Sequence, residues 1–153
     1  MVRERLFITA AQAKAWAAGL ALLTLAGGSP HVSGAESYNA EMTERERKAQ
    51  IATGREIYGR CKGCHSFGFN RVGPDHCGIA GRKAGAVPGY RYSSALRSSN
   101  MVWTQETLDA FLFDPRGVVP GTKMTYDGVK NDRDRGALVA YILDASLTAE
   151  ACR

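Results

Sequence analysis

Residues 61–65 read Cys-Lys-Gly-Cys-His, and this pentapeptide limits the architecture of the 153-residue chain more than any other stretch. Two thiols three positions apart, with an imidazole directly after the second, admit three chemistries: half of a zinc site, a redox-active dithiol, or the point where a haem is joined to a chain by two thioethers. Each needs a different partner elsewhere. A structural zinc ion needs a second cluster of nitrogen or sulfur ligands. The chain has no second C-x-x-C and no H-x-x-x-H, and the adjacent pair His76-Cys77 suits one tetrahedral ion poorly. A thioredoxin-like dithiol follows a strand and opens a helix, whereas here the motif closes a helical pattern. Haem attachment asks for one distant second ligand, and it accounts for the surroundings as well.

Those surroundings begin with an N-terminal leader. Arg3, Arg5 and Lys14 precede the apolar run Ala15–Ala26. Gly27, Gly28, Ser29 and Pro30 then break the run, and Ser33-Gly34-Ala35 forms a small-x-small site. Basic end, short apolar segment and cleavage site together describe a secretory signal peptide over residues 1–35. The run is shorter than the about 20 apolar residues of a comfortable membrane span, so no stable membrane insertion is expected once the leader is removed. An uncleaved anchor is the alternative; either way the following domain is exported. Without the leader, 17 basic and 14 acidic residues remain, a net +3 against +5 for the whole chain. This charge is mild, and no dense Lys/Arg stripe with interleaved aromatics is present, which excludes a nucleic-acid site.

Residues 36–48 read as an N-terminal extension and 49–153 as one domain. Thr43 with Glu46 makes a capping box. After it, Ile51, Gly54, Tyr58 and Cys61 mark one face of an amphipathic helix whose charged first half faces water and whose end meets the motif. Glycines crowd residues 67–88, predicting loop and turns. A short helix is predicted over 93–97. Thr104 opens another, with Leu108, Phe111 and Leu112 on its apolar face, stopping before Asp114-Pro115. Asn131 or Asp132 opens the last, with Leu138, Tyr141 and Ile142 facing inward. No strand pattern is evident. A small all-helical domain with loops this long needs an organiser, and a large apolar cofactor supplies one.

The spacing of three puts both thiols on one side of a helical turn, with His65 beneath the ring as one axial ligand. A thioether on the opposite face favours ferrous iron and raises the potential. Met124 is the candidate, because Pro120 and Gly121 form a rigid turn that presents it inward. Met42, on the charged entry, and Met101, beside Trp103, are its competitors.

With these residues in view, the chain resembles the class I c-type cytochromes, over about residues 54–143. The resemblance rests on six blocks in order: CKGCH, VGPDHCGIAGRKAG, PGYRYSSA, WTQETL, DPRGVVPGTKM and LVAYIL. It implies an all-α fold, the small cytochrome c fold, of three to five helices with long loops wrapped around one covalently attached haem c. It implies that Cys61 and Cys64 hold the haem, with His65 and Met124 on iron. Pro74 matches the residue whose carbonyl accepts the ligand histidine's other N–H. Arg82, Tyr92 and Trp103 match residues near a haem propionate. Thr122 and Lys123 match the loop beside the methionine, and Gly54 and Tyr58 match the first-helix positions that cross Leu138 and Tyr141.

The chain also departs from that pattern. His76 and Cys77 stand where the family usually has an apolar residue and a loop-bridging histidine, so that brace is absent or replaced. Cys77 and Cys152 either pair, tying the C-terminal tail to the loop, or remain two separate thiols. Leu96 and Phe111 replace an asparagine and a tyrosine, predicting a drier methionine side and an altered potential. The usual lysine ring is thin.

The resemblance implies a soluble periplasmic electron carrier rather than an enzyme, shuttling single electrons between a quinol-oxidising complex or dehydrogenase and a terminal oxidase or photosynthetic reaction centre. Three rivals stand beside it: a haem enzyme or gas sensor with an open iron position, a carrier with His76 on iron, and a haem-binding subunit or electron acceptor of a periplasmic dehydrogenase complex, docked through the charged helix at Thr43–Lys48.

Overall fold

The computed structural model describes residues 42–153; the leader and the first part of the extension lie outside the described residues. Helix α1 spans Glu44–Ile57 and tightens into a 3-10 turn at Tyr58–Arg60. Its start is the expected capping box: Thr43 N donates to the Glu46 carboxylate (2.8 Å) and Glu46 N donates to Thr43 Oγ1 (3.2 Å). Residues 42–49 are exposed, as the charge pattern requires, and α1 continues unbroken through Lys48. Helix α2 is Ser94–Ser98, α3 is Gln105–Phe113, α4 is Pro115–Val118 and α5 is Asp132–Thr148. Ser93, Thr104 and Asn131 cap α2, α3 and α5 with their side-chain oxygens. Five α-helices and no named strand, only an isolated bridge between Lys83 and Val102, make up the described residues. This is the expected all-α architecture.

Two short elements were not anticipated. Asp114-Pro115 reads as a stop, and it does end α3, but it also starts α4. The Asp114 side chain accepts from Gly117 N (3.0 Å), and Pro115 sits at the first helical position, where its missing N–H leaves no bond unmade. The second is the 3-10 turn Glu150–Cys152, held by a tertiary bond that local sequence does not encode.

Helix α1 packs across α5, and α3 packs on α5 beside them. The third helix buries Leu108, Phe111 and Leu112 as its periodicity marks; on the first, Gly54 and Tyr58 are buried as expected but Ile57 takes the place of the half-buried Ile51 and Cys61, and on the last, Leu138 and Ile142 are buried with Val139 while Tyr141 is only half-buried. At the α5 start, Arg135 is buried but paired. It donates to Asp109 (2.8 Å), Asp132 (3.0 Å) and the Val129 carbonyl (3.1 Å), so α3, the preceding loop and α5 meet on one guanidinium. The neighbouring carboxylates hold its pKa above the ordinary value.

Cys77 and Cys152 form a disulfide with Cα atoms 5.4 Å apart, which resolves the alternative left open by the sequence. The brace is thus replaced: a covalent bond across 75 residues fastens the C-terminal turn to the loop after the motif. Cys61 and Cys64 take no part in a disulfide. Closing so long a loop removes denatured-state entropy worth about 4 kcal/mol. A Cys77→Ala/Cys152→Ala double variant is expected to lose a stability of that order in denaturant titration of the haem-loaded protein.

Candidate cofactor site

Beyond the 3-10 turn, Cys64 N and His65 N both donate to the Cys61 carbonyl (3.0 and 2.9 Å). This single turn brings Cys61, Cys64 and His65 to the wall of one cavity of about 650 Å³, within the roughly 300–1,000 Å³ of cofactor sites. Burial pushes the Cys61 thiol up to about 11. A catalytic dithiol draws on the opposite shift, toward thiolate. Zinc fares no better: among the described residues, no three His, Cys, Asp or Glu side chains are grouped to hold a metal ion.

The loop that follows grips the imidazole. Gly73 N donates to the Cys64 carbonyl (2.7 Å), and the Pro74 carbonyl lies 2.9 Å from His65 Nδ1. A Cβ at Gly73 would overlap the ring, about 2.6 Å from both nitrogens, so only glycine lets the loop come this near. Burial lowers the His65 pKa, which favours the neutral imidazole, with the Pro74 carbonyl acting in the other direction. A neutral ring donating from Nδ1 leaves the Nε2 lone pair for a metal.

Met124 reaches the same cavity from the distant loop. Thr122 N donates to the Val119 carbonyl (3.0 Å) across Pro120 and Gly121, whose φ is +88°. Proline followed by a positive-φ glycine is the pattern of a type II turn. Thr122 Oγ1 then accepts from Met124 N (3.3 Å) and fixes the residue's backbone. Met101 packs against the core, and Met42 is 47% exposed; neither lines the cavity.

The remaining expected residues also converge here. Pro74, Arg82, Tyr92, Trp103 and Thr122 all line the cavity. Arg82 donates to the carbonyls of Cys77 (2.5 Å) and Asp75 (3.0 Å), and Trp103 packs edge-on against Phe111 with centroids 5.1 Å apart. Among the lining residues are a guanidinium, a phenol and an indole, the side-chain types that can donate to a buried carboxylate. Leu96 and Phe111 are buried and line the same cavity. Thiols, a neutral imidazole, a thioether, apolar walls and carboxylate donors together fit a covalently held haem.

His76 is not opposite His65. The two rings stack with centroids 4.2 Å apart, and His76 Nδ1 bonds to Tyr58 Oη (3.1 Å), so the rival in which His76 is the distal ligand has no geometry to use. The sequence marks His76 as a poor zinc ligand, a departure from the family pattern and a rival axial ligand, but does not reveal this packing. Tyr58 itself is buried, and burial raises its pKa well above the ordinary 10.0. The unfolded chain therefore ionises this phenol first. The stability it contributes is present below pH ~10 and lost as pH climbs toward the folded value. Tyr58→Phe is expected to flatten that alkaline decline, read from denaturation midpoints across pH.

Comparison with known proteins agrees with this geometry. The Cytochrome c family model matches residues 51–146. Cytochrome c2 iso-2 of Magnetospirillum fulvum is 45% identical over 87 residues, 56% of this chain and 91% of the relative. Cytochrome c2 of Afifella marina is 43% identical over 98 residues, 60% of this chain and 79% of the relative. The solved structure of cytochrome cH from Methylobacterium extorquens superposes with a TM-score of 0.60 at 39% identity, covering 61% of this chain and 97% of that one. A family-model match over residues 51–146, a relative 45% identical and a shared fold lead to one assignment: the chain belongs to the cytochrome c family.

Proposed function

We propose that this chain is a cytochrome c2-like electron carrier that works in the periplasm, with His65 and Met124 as the two axial ligands of its single haem c. As a cytochrome c, the protein carries that haem covalently, and the haem supplies one-electron exchange between ferric and ferrous iron. The observation that carries the reading is the meeting of Cys61, Cys64, His65 and Met124 on one cavity. The two thiols anchor the group. His65, oriented by Pro74, and Met124, presented by the Val119–Thr122 turn, would hold the iron between them, which would leave substrate no place on it and little to rearrange on one-electron exchange. Arg82, Tyr92 and Trp103 would stabilise a propionate. The leader pattern and the Cys77–Cys152 disulfide support an oxidising, exported location.

Arg60 and Lys123 stand at the cavity wall, and Lys62 and Arg71 are exposed nearby on the motif loop. Positive charge there favours transient docking of an acidic redox partner, such as a quinol-oxidising complex, a dehydrogenase, a terminal oxidase or a reaction centre. Stopped-flow electron exchange with an acidic redox protein is expected to slow steeply as ionic strength rises past about 0.1 M, where the screening length is about 10 Å. A salt-independent rate, or ferrous protein that binds carbon monoxide at once, sinks the carrier reading.

A further inference from the structure

One buried group is left without a task by the carrier reading. His76 is 9% exposed and has a neighbour on each side. One face of its ring stacks on His65 at 4.2 Å and 25°. Its Nδ1 bonds to Tyr58 Oη at 3.1 Å, and Tyr58 in turn packs against Tyr141 and Phe67, both with centroids 5.2 Å away. Its backbone is fixed as well, with His76 N donating to the Ser66 carbonyl (3.0 Å) and the next residue locked in the disulfide. Burying a polar ring is unfavourable unless its polar atoms are matched, and an aliphatic side chain would fill the same space. The imidazole is therefore placed for what it does to its neighbour.

Two restraints already act on His65: the Pro74 carbonyl on its Nδ1–H edge and the Gly73 backbone close against the ring. A flat ring stacked on it adds a third, against rotation of the ring plane. Side-chain groups that orient a metal ligand tune the metal beyond the ligand itself. We propose that His76 is a positioning residue for His65: stacked on its imidazole and tied to α1 through Tyr58, it sets the plane of the ring that binds iron. This rests on the assignment of His65 as a ligand. The plane of an axial imidazole governs its overlap with the iron d orbitals, so it is visible in the ferric spectrum even when the ligand set is unchanged.

The test uses the haem-loaded protein. Proton NMR of the ferric form reads the hyperfine-shifted haem methyl pattern, and denaturant titration is run in parallel. His76→Leu removes both the stack and the Tyr58 bond, and a redistributed methyl pattern is expected with methionine still on iron. Tyr58→Phe removes only the anchor and should move the pattern in the same direction by less. His76→Phe restores a flat ring and should return the pattern toward that of the parent. A methyl pattern unchanged in His76→Leu, with only the denaturation midpoint lowered, overturns the proposal and leaves His76 as packing. If His76→Leu does not fold, an unchanged pattern in Tyr58→Phe overturns it equally. A parent protein that is high-spin in the ferric state fails the ligand assignment itself, a result distinct from a low-spin parent whose variants do not respond.

Discussion

Replacing Met124 by alanine is expected to abolish the weak far-red band of the ferric protein, to open the ferrous iron to carbon monoxide and to lower the reduction potential. A soft sulfur stabilises ferrous iron, and axial ligand identity moves haem potentials over about 0.8 V, so a fall on the order of 0.1 V or more is anticipated. The haem stays attached, because its anchorage lies at Cys61 and Cys64. Met124 lines the cavity while Met101 packs in the core and Met42 is exposed. Met101→Ala and Met42→Ala should therefore keep the band. Its survival in Met124→Ala would refute the ligand assignment.

Gly54→Ala is expected to be the most damaging single methyl in the α1–α5 crossing. A Cβ at Gly54 would fall onto the Ala137 carbonyl and within 2.7 Å of Tyr141 Cβ. The obstructing atoms are backbone and a first side-chain carbon, which no rotamer change can move aside, so the helices must separate. Alanine favours a helix by about 1 kcal/mol over glycine, yet overpacking of this kind costs about 1–3 kcal/mol or more. A net loss of about 2 kcal/mol is expected in the denaturation midpoint of the holoprotein. Gly59→Ala is the control: nothing lies within 4 Å of its would-be Cβ, and its midpoint should stay within about 1 kcal/mol of the parent.

Helix caps and apolar faces were legible because they are local. Thr43 with Glu46, Thr104 and Asn131 each bond within three residues along the chain, and a helix buries whichever face its periodicity makes apolar. The single-turn α4 escaped notice because one Asp-Pro pair serves as stop and start at once. The site was legible to an unusual degree, since CKGCH is contiguous and the Pro-Gly turn before Met124 is a local device. The role of His76 was not: its partners are Tyr58, eighteen residues earlier in sequence, and the ring of His65, and no local pattern announces a stack.

The sequence by itself determined the chemistry. The spacing of two thiols and a histidine and the turn before Met124 are short-range patterns, and short-range patterns set covalent attachment and helix positions. Tertiary structure alone decided the pairing of Cys77 with Cys152 and the stacking of His76 on His65 rather than its placement across from it. These depend on how α1 crosses α5 and how the loops close over the cavity. Contacts between residues far apart in the chain are chosen by packing, not by neighbouring residue types.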